Sequence, residues 1–444
     1  MHTLEQLRSG ALAGVTRLTM RCGLTEFPRE IYTLADSLEI LDLSGNALRA
    51  LPDDLHRLHK LRIIFCSDNL FEELPVALGA CASLTMVGFK ANRIRHVPAA
   101  ALPAALRWLV LTDNAIEELP AELGERPQLQ KLMLAGNCLR ELPASMARLH
   151  KLELLRIACN QLTALPDWLL ALPRLTWLAY AGNPLCATWE DTLVHTPSAA
   201  IPWSALTLRD KLGEGASGII YRADWRQDSG TSGNIGNSGT SASTAPIRPV
   251  AVKIFRAAMT SDGSPLSEMA ACLGAGAHPN LIPVLGHVAN HPDASHALLM
   301  ALIDPAFHNL AGPPSLDSCT RDCYAADKRF DLASALAIAR AIASVAAQLH
   351  RHGILHGDLY AHNILHDEHG QTLLGDFGAA SFYDAAGPQA DAMQTLEVRA
   401  FGNLLEELLD RCDAVPLALR TLQAACQQGQ PRFADITEKL DNPF

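Results

Sequence analysis

Aromatic residues are scarce in this chain, at 5% of 444 positions, while about half of all residues are apolar. Its cores must therefore be mainly aliphatic. Basic residues are outnumbered: the formal net charge of −11 argues against a nucleic-acid-binding surface as the main business. The N-terminus has no basic-then-apolar signal. The most apolar long stretch, 332–349, is rich in alanine and contains Arg340, so it reads as a buried helix and not as a membrane span. These absences give a cytoplasmic expectation with no membrane span and no nucleic-acid partner. The eleven cysteines are scattered and odd in number, which suits small buried hydrophobes in a reducing compartment. Cys319 and Cys323 lie close together, but no second Cys or His pair completes a zinc set. The length calls for two or three domains.

What is present begins with a repeat. From Leu38 a pattern of leucine-x-x-leucine-x-leucine-x-x-asparagine-x-leucine-x-x-leucine-proline recurs. Its asparagines are Asn46, Asn69, Asn92, Asn114, Asn137, Asn160 and Asn183. Its prolines are Pro52, Pro75, Pro98, Pro120, Pro143 and Pro166, with Pro28 from a shorter first copy. The pattern resembles the leucine-rich repeat family. Each repeat implies a short strand, a tight turn and a returning segment, with the leucines stacked into one core. The asparagine amides can bond the backbone of neighbouring turns as a ladder, so they are structural and not candidate ligands.

Side chains alternate faces along a strand. The residues between the core leucines should therefore point to the concave side: Ile40, Ile63, Met86, Trp108, Lys131, Leu154 and Trp177, then Asp42, Phe65, Gly88, Val110, Met133, Arg156 and Ala179. A polar, solvated face would be the ordinary outcome; this strip is largely apolar. An exposed apolar strip marks a binding surface, here for a protein partner engaging Phe65, Trp108 and Trp177, or for the other half of the same chain.

The second half carries a different set of signals. Leu212-Gly213-Glu214-Gly215-Ala216-Ser217-Gly218-Ile219-Ile220-Tyr221 holds a Gly-x-Gly-x-x-Gly followed by a strand. Its glycines would thus turn a hairpin whose backbone N–H groups can cover phosphates. Val250-Ala251-Val252-Lys253-Ile254-Phe255 reads as a buried strand with one lysine, and Glu268 follows on a helix ahead of His278-Pro279-Asn280. Then come Asp358, Asn363 five residues on, and Asp376 opening Asp376-Phe377-Gly378. Phosphoryl transfer needs one carboxylate to orient and deprotonate a hydroxyl, and two oxygen ligands to hold Mg²⁺ on a triphosphate.

In that order these segments resemble the protein kinase family. The resemblance implies ATP and Mg²⁺ as cofactors. It implies Asp358, Lys253 and Glu268 as catalytic residues and Asn363 and Asp376 as metal ligands. Gly213, Gly215, Gly218, Ile220, Lys253 and Met300 would line the nucleotide site. The expected fold is α/β: a leucine-rich repeat horseshoe of about eight repeats over 1–200, then a bilobal protein-kinase-like α+β domain over 204–444. Residues 227–246, rich in Gly, Ser, Thr and Asn, would form a disordered hairpin extension between two strands. Residues 305–328 read as a loop after the hinge strand 297–303.

The chain also departs from the family. Gly357 stands where most kinases carry an arginine before the catalytic aspartate. Tyr360 replaces the lysine that steadies the transferred phosphate in serine/threonine kinases, and His362 the arginine of tyrosine kinases. Neither replacement carries a permanent positive charge. Only about twenty residues separate Asp376 from Glu397-Val398-Arg399-Ala400-Phe401-Gly402, which resembles the start of the central large-lobe helix. No Ala-Pro-Glu lies between them, and Arg432 resembles the arginine that would pair with that absent glutamate. Three readings remain: an active kinase, serine/threonine rather than tyrosine; a nucleotide-binding pseudokinase scaffold; and an interaction protein working through its repeats alone.

Overall fold

The computed structural model describes all residues except 190–198, 216, 228–245, 257–258, 261, 368 and 442–444. The interior of the expected extension at 227–246 therefore lies outside the described residues. Its two ends meet, with Gln227 N donating to Pro246 O at 3.4 Å.

The first half is a solenoid. Eight three-residue strands, β1 (Arg17–Thr19), β2 (Ile40–Asp42), β3 (Ile63–Phe65), β4 (Met86–Gly88), β5 (Trp108–Val110), β6 (Lys131–Met133), β7 (Leu154–Arg156) and β8 (Trp177–Ala179), pair in parallel and in sequence order. Short 3₁₀ turns return the chain on the opposite side, most of them starting after the repeat proline, whose fixed φ suits the entry. The central residue of each strand faces inward: Leu41, Ile64, Val87, Leu109, Leu132, Leu155 and Leu178 are completely or almost completely buried. Between repeats runs the asparagine ladder. Asn137 donates to Leu111 O and Leu134 O and accepts from Ile116 N, and Asn160 and Asn183 repeat the pattern one and two turns on. Each amide satisfies backbone groups that no strand or turn could reach.

The second half has two lobes. The small lobe is a six-stranded sheet of order β10-β11-β12-β14-β13-β9, in which β9 (Ala200–Pro202) adds a parallel edge to β13 (Val284–Ala289). The strands β10 (Leu206–Glu214), β11 (Gly218–Arg226), β12 (Ile247–Phe255) and β14 (Ala297–Ala301) are antiparallel. Trp203 meets His291 edge to face and packs with this lobe, so it caps the small sheet and not the repeat array. The large lobe is built on the helices Leu332–Arg351 and Ala390–Leu409. By length and composition the first of these could cross a membrane, but its apolar side, including Ile338, Ile342, Val345 and Leu349, is buried in the lobe's core.

The concave face of the solenoid meets the large lobe, so much of its apolar strip is covered by the chain's own second half. Met86, Leu154 and Trp177 are 2–3% exposed, and Met133, Leu154 and Trp177 share a core with large-lobe residues such as Phe377 and Phe382. Conversely Leu355, Tyr383, Met393 and Leu396 join the leucine core of the solenoid. Trp177 is thus not accessible to a separate protein partner. Trp108 is half-buried beneath the ammonium of Lys131, 4.1 Å from the ring centroid. Phe65, also half-buried, lies across Gly88, where a Cβ would come within 2.5 Å of its ring. The segment 305–328, expected as a plain loop, also takes part: Arg107 donates to Asp317 O at 3.0 Å, and Thr320 bonds Glu153.

Candidate active site

The cleft between the lobes is assembled from five segments. The hairpin of β10 and β11 closes with Gly215 N bonding Gly218 O at 2.9 Å. A Cβ at Gly213 or Gly215 would meet open space, whereas one at Gly218 would lie 2.4 Å from Ile254 O. Gly218 is therefore needed for strand contact, and the other two keep the hairpin slim above the cleft. Lys253 sits in the middle of β12, opposite Ile220 and Leu298, and Met300 lies two residues along β14 from Leu298.

Lys253 makes an ion pair with Glu268, which is 2% exposed on the helix Pro265–Gly274. Ser264 caps that helix by accepting from Ser267 N. Burial alone would lower the lysine's pKa. The charges of Glu268 and Asp376 outweigh it and carry the pKa above its ordinary value, so the ammonium persists.

Asp358 and Asn363 follow the short strand Ile354–Leu355. Asn363 donates through Nδ2 to both Asp358 O and Asp358 Oδ2, each at 2.9 Å. That orientation turns the amide oxygen to the other side, where it can serve a cation. Asp376 has a φ of +49° and accepts from Gly378 N at 3.1 Å. Asn363 and Asp376 supply hard oxygen donors of the kind Mg²⁺ takes, with the remainder left for water and phosphate. Glu397, 1% exposed in the helix Ala390–Leu409, bonds Gly357 N at 3.1 Å and His350 Nε2 at 2.8 Å. The central helix thus holds the 357–363 loop by its backbone.

Two of the residues that depart from the kinase pattern, Gly357 and Tyr360, face the repeat array. Gly357 has a φ of +70°, and a Cβ there would lie 2.5 Å from Ala379 O and 2.7 Å from Leu178 O of β8. Tyr360 stacks on Trp177, with ring centroids 4.3 Å apart and planes 9° from parallel, and Trp177 Nε1 donates to Leu359 O at 3.3 Å. The Tyr360 hydroxyl is buried without a hydrogen-bond partner among the described residues. Arg156, 1% exposed, donates to Asp262 Oδ1 at 2.8 Å, to Gly357 O at 2.9 Å, and to Asp358. Ser381 Oγ accepts from Tyr180 N and Ala181 N, and Tyr180 Oη donates to Phe382 O at 3.0 Å. Arg399 caps the carbonyls of Leu172 and Leu175 at 3.0 Å each. The stretch after Gly378 is short, and β8 lies alongside it. In place of the absent glutamate, Arg432 pairs with Asp391, both largely exposed.

Lys253 pairs with Glu268 within reach of the Asp376 charge, and Asp358 bonds Asn363. Sequence reasoning missed Arg156, Asp262, Glu397 and Asp322. The last accepts from His362 N at 3.0 Å and pairs with the ring Nδ1 at 2.7 Å. Burial would lower the His362 pKa. The hydrogen bond and charge of Asp322, helped by Asp358 and Asp376, outweigh that and raise it above its ordinary value. Stabilisation from the charged pair is then fully present below the unfolded-state pKa and lost as pH rises through the folded-state one. An NMR titration should find the His362 midpoint above about 6.5, moving down in Asp322→Asn. A midpoint unmoved by that change would remove Asp322 as the cause.

Comparison with known families agrees with this geometry. Residues 206–400 match the family described as protein tyrosine and serine/threonine kinase. Residues 37–58 and 127–185 match leucine-rich repeat families. The chain is a leucine-rich repeat array joined to a protein kinase domain. The chain is similar to leucine-rich repeat and calponin homology domain-containing protein 1 of mouse, 31% identical over 28% of this chain and 18% of that protein. The human protein of the same name is 30% identical over 28% of this chain and 17% of its own length. The chain thus spans under a fifth of the length of those relatives.

Proposed function

We propose that this chain is an ATP- and Mg²⁺-dependent protein kinase, acting on serine or threonine in preference to tyrosine, with a repeat array that engages its own kinase domain. The observation that carries this reading is the Lys253–Glu268 ion pair with the Asp376 charge acting on both residues, together with the Asp358–Asn363 hydrogen bonds. Lys253 would bind phosphate oxygens of the nucleotide; Asn363 and Asp376 would hold Mg²⁺, which when bound neutralises charge on the triphosphate. Asp358 would orient the acceptor hydroxyl and take its proton as oxygen bonds to phosphorus. The serine/threonine preference rests on likeness to repeat-plus-kinase chains. A protein partner, if the array takes one, would use the Phe65 end of the concave face, since Trp177 is spoken for. A cytoplasmic location is suggested by the scattered, odd-numbered cysteines, which suit a reducing compartment.

The pseudokinase reading is favoured by Tyr360, whose ring is held in a stack with Trp177 and cannot replace the missing lysine. Incubation of the purified chain with labelled ATP and Mg²⁺ decides between the two. Transferred label that vanishes in Asp376→Ala supports the enzyme; binding without transfer supports the scaffold.

Nucleotide binding has its own test. In Lys253→Met the rise in melting temperature on adding Mg-ATP should disappear, because the lysine reaches for phosphate and does not fill the core. The nucleotide-free protein should also lose some stability, since Glu268 keeps its burial and loses its counter-charge. An ATP response equal to wild type would show that Lys253 is not the phosphate ligand.

A further inference from the structure

Arg156 is the one arginine at the concave-facing ends of the repeat strands, among Asp42, Phe65, Gly88, Val110, Met133 and Ala179. A buried guanidinium is costly unless its donors are met by acceptors in the right plane. Here Nε serves Asp262, one Nη serves Gly357 O and the other serves Asp358. Asp262 lies two residues before Ser264, the cap of the helix that carries Glu268. One side chain from the repeat array therefore ties the catalytic aspartate to the approach of the glutamate helix.

We infer that Arg156 is a positioning residue for phosphoryl transfer, supplied by the repeat array to a catalytic loop that has lost its own cations. This rests on the kinase reading above. Three observations favour positioning over a removable brake. First, the contact is part of the fold's interior: Leu355, Tyr383, Met393 and Leu396 belong to the solenoid core, so releasing Arg156 by lifting the array would expose that core to water. Second, Gly357 admits the Leu178 carbonyl only because it lacks a Cβ, which fits a loop shaped for permanent contact. Third, the Asp358 side chain keeps 19% exposure. Arg156 holds one carboxylate oxygen and Asn363 the other, and an edge of the group remains open to an acceptor hydroxyl. The loop's own residues at the corresponding tasks, Gly357, Tyr360 and His362, include no permanent cation, so the fixed positive charge beside Asp358 comes from Arg156.

The test uses the full chain with labelled ATP and Mg²⁺, following label incorporated into the chain itself under single-turnover conditions. Arg156→Ala should lower the transfer rate about 10²-fold, the scale of a misplaced reacting group, with the Mg-ATP melting shift retained. Millimolar guanidinium should restore part of the rate in Arg156→Ala and leave wild type unaffected; a loss through unfolding would show no such rescue. Arg156→Lys keeps the charge but cannot span three acceptors, so its rate should fall between the two, and it serves if the alanine variant does not fold. A rate in Arg156→Lys equal to wild type, or a rate in Arg156→Ala equal to or above it, overturns the inference, the latter by making the arginine a brake. Wild type that binds ATP and transfers nothing overturns the kinase reading and this inference with it. Transfer by wild type with indifference at position 156 overturns this inference alone.

Discussion

Asp358→Asn should reduce phosphate transfer by about 10³-fold, within the range that a positioned acid or base contributes, while the protein still responds to Mg-ATP. The reason is differential: a carboxylate that orients the hydroxyl matters in the transition state and little to the resting nucleotide complex. The surroundings of Asp358 add a second consequence. Its Oδ2 accepts from Asn363 Nδ2 and its Oδ1 from Arg156. An asparagine can keep one acceptor, but its amide nitrogen must then face another donor. Either Asn363 loses its partner or Arg156 does, and Arg156 in any case loses one of its two anionic neighbours. The nucleotide-free protein should therefore also melt lower, by a stability loss of about 1–3 kcal/mol, the usual cost of leaving a buried polar group unmet. Single-turnover transfer and thermal melts with and without Mg-ATP measure the two effects separately. Transfer at the wild-type rate would remove Asp358 from the chemistry. A lost Mg-ATP response with an unchanged apo melt would place the residue in nucleotide binding.

Much of this site could be read before any coordinates. The repeat period placed seven asparagines at one structural position, and strand alternation put Leu41, Leu132 and Leu178 inward, because both follow from local geometry repeated at fixed intervals. Lys253, Glu268, Asp358, Asn363 and Asp376 were legible because the order of segments restricts what each residue type can do. Arg156 was not: as one residue of a three-residue strand, it looks like any variable repeat position. Its partners Gly357 and Asp358 lie about two hundred residues away, and periodicity carries no information on which distant surface covers a strand. For Trp177 the same limit left two occupants open, a separate partner or the other half of the chain, since alternation gives the face of a side chain and not what rests on it. A signal was available in combination: one arginine in an apolar strip, and a catalytic loop short of cations. Neither half of the chain suggests the pairing alone. Glu397 fell between these cases; its segment was recognised, but its bond to Gly357 N needed the packed helix.

Restoring the family's arginine at position 357 should damage this protein. The substitution Gly357→Arg places a Cβ 2.5 Å from Ala379 O and 2.7 Å from Leu178 O, distances at which backbone has to move. It also forces a side chain into a φ of +70°, which costs about 1–3 kcal/mol for a residue other than glycine. Displacing backbone in a packed interior adds about 1–3 kcal/mol more, and the new guanidinium would crowd the site where Arg156 already bonds Gly357 O. The loss should therefore be about 2–6 kcal/mol, with the contact between β8 and the 357–363 loop failing first. Gly357→Ala should show the same sign and a smaller loss, since it meets both carbonyls without adding a charge. Two measurements follow the outcome: the melting temperature, and the radius of gyration by solution scattering, which should rise if the array separates from the large lobe. Trp177 fluorescence offers a local readout, since its indole now stacks on Tyr360. A Gly357→Arg protein as stable and compact as wild type would mean that the backbone of β8 does not press on the catalytic loop. The glycine would then be only a lost arginine, not a seat for the repeat array.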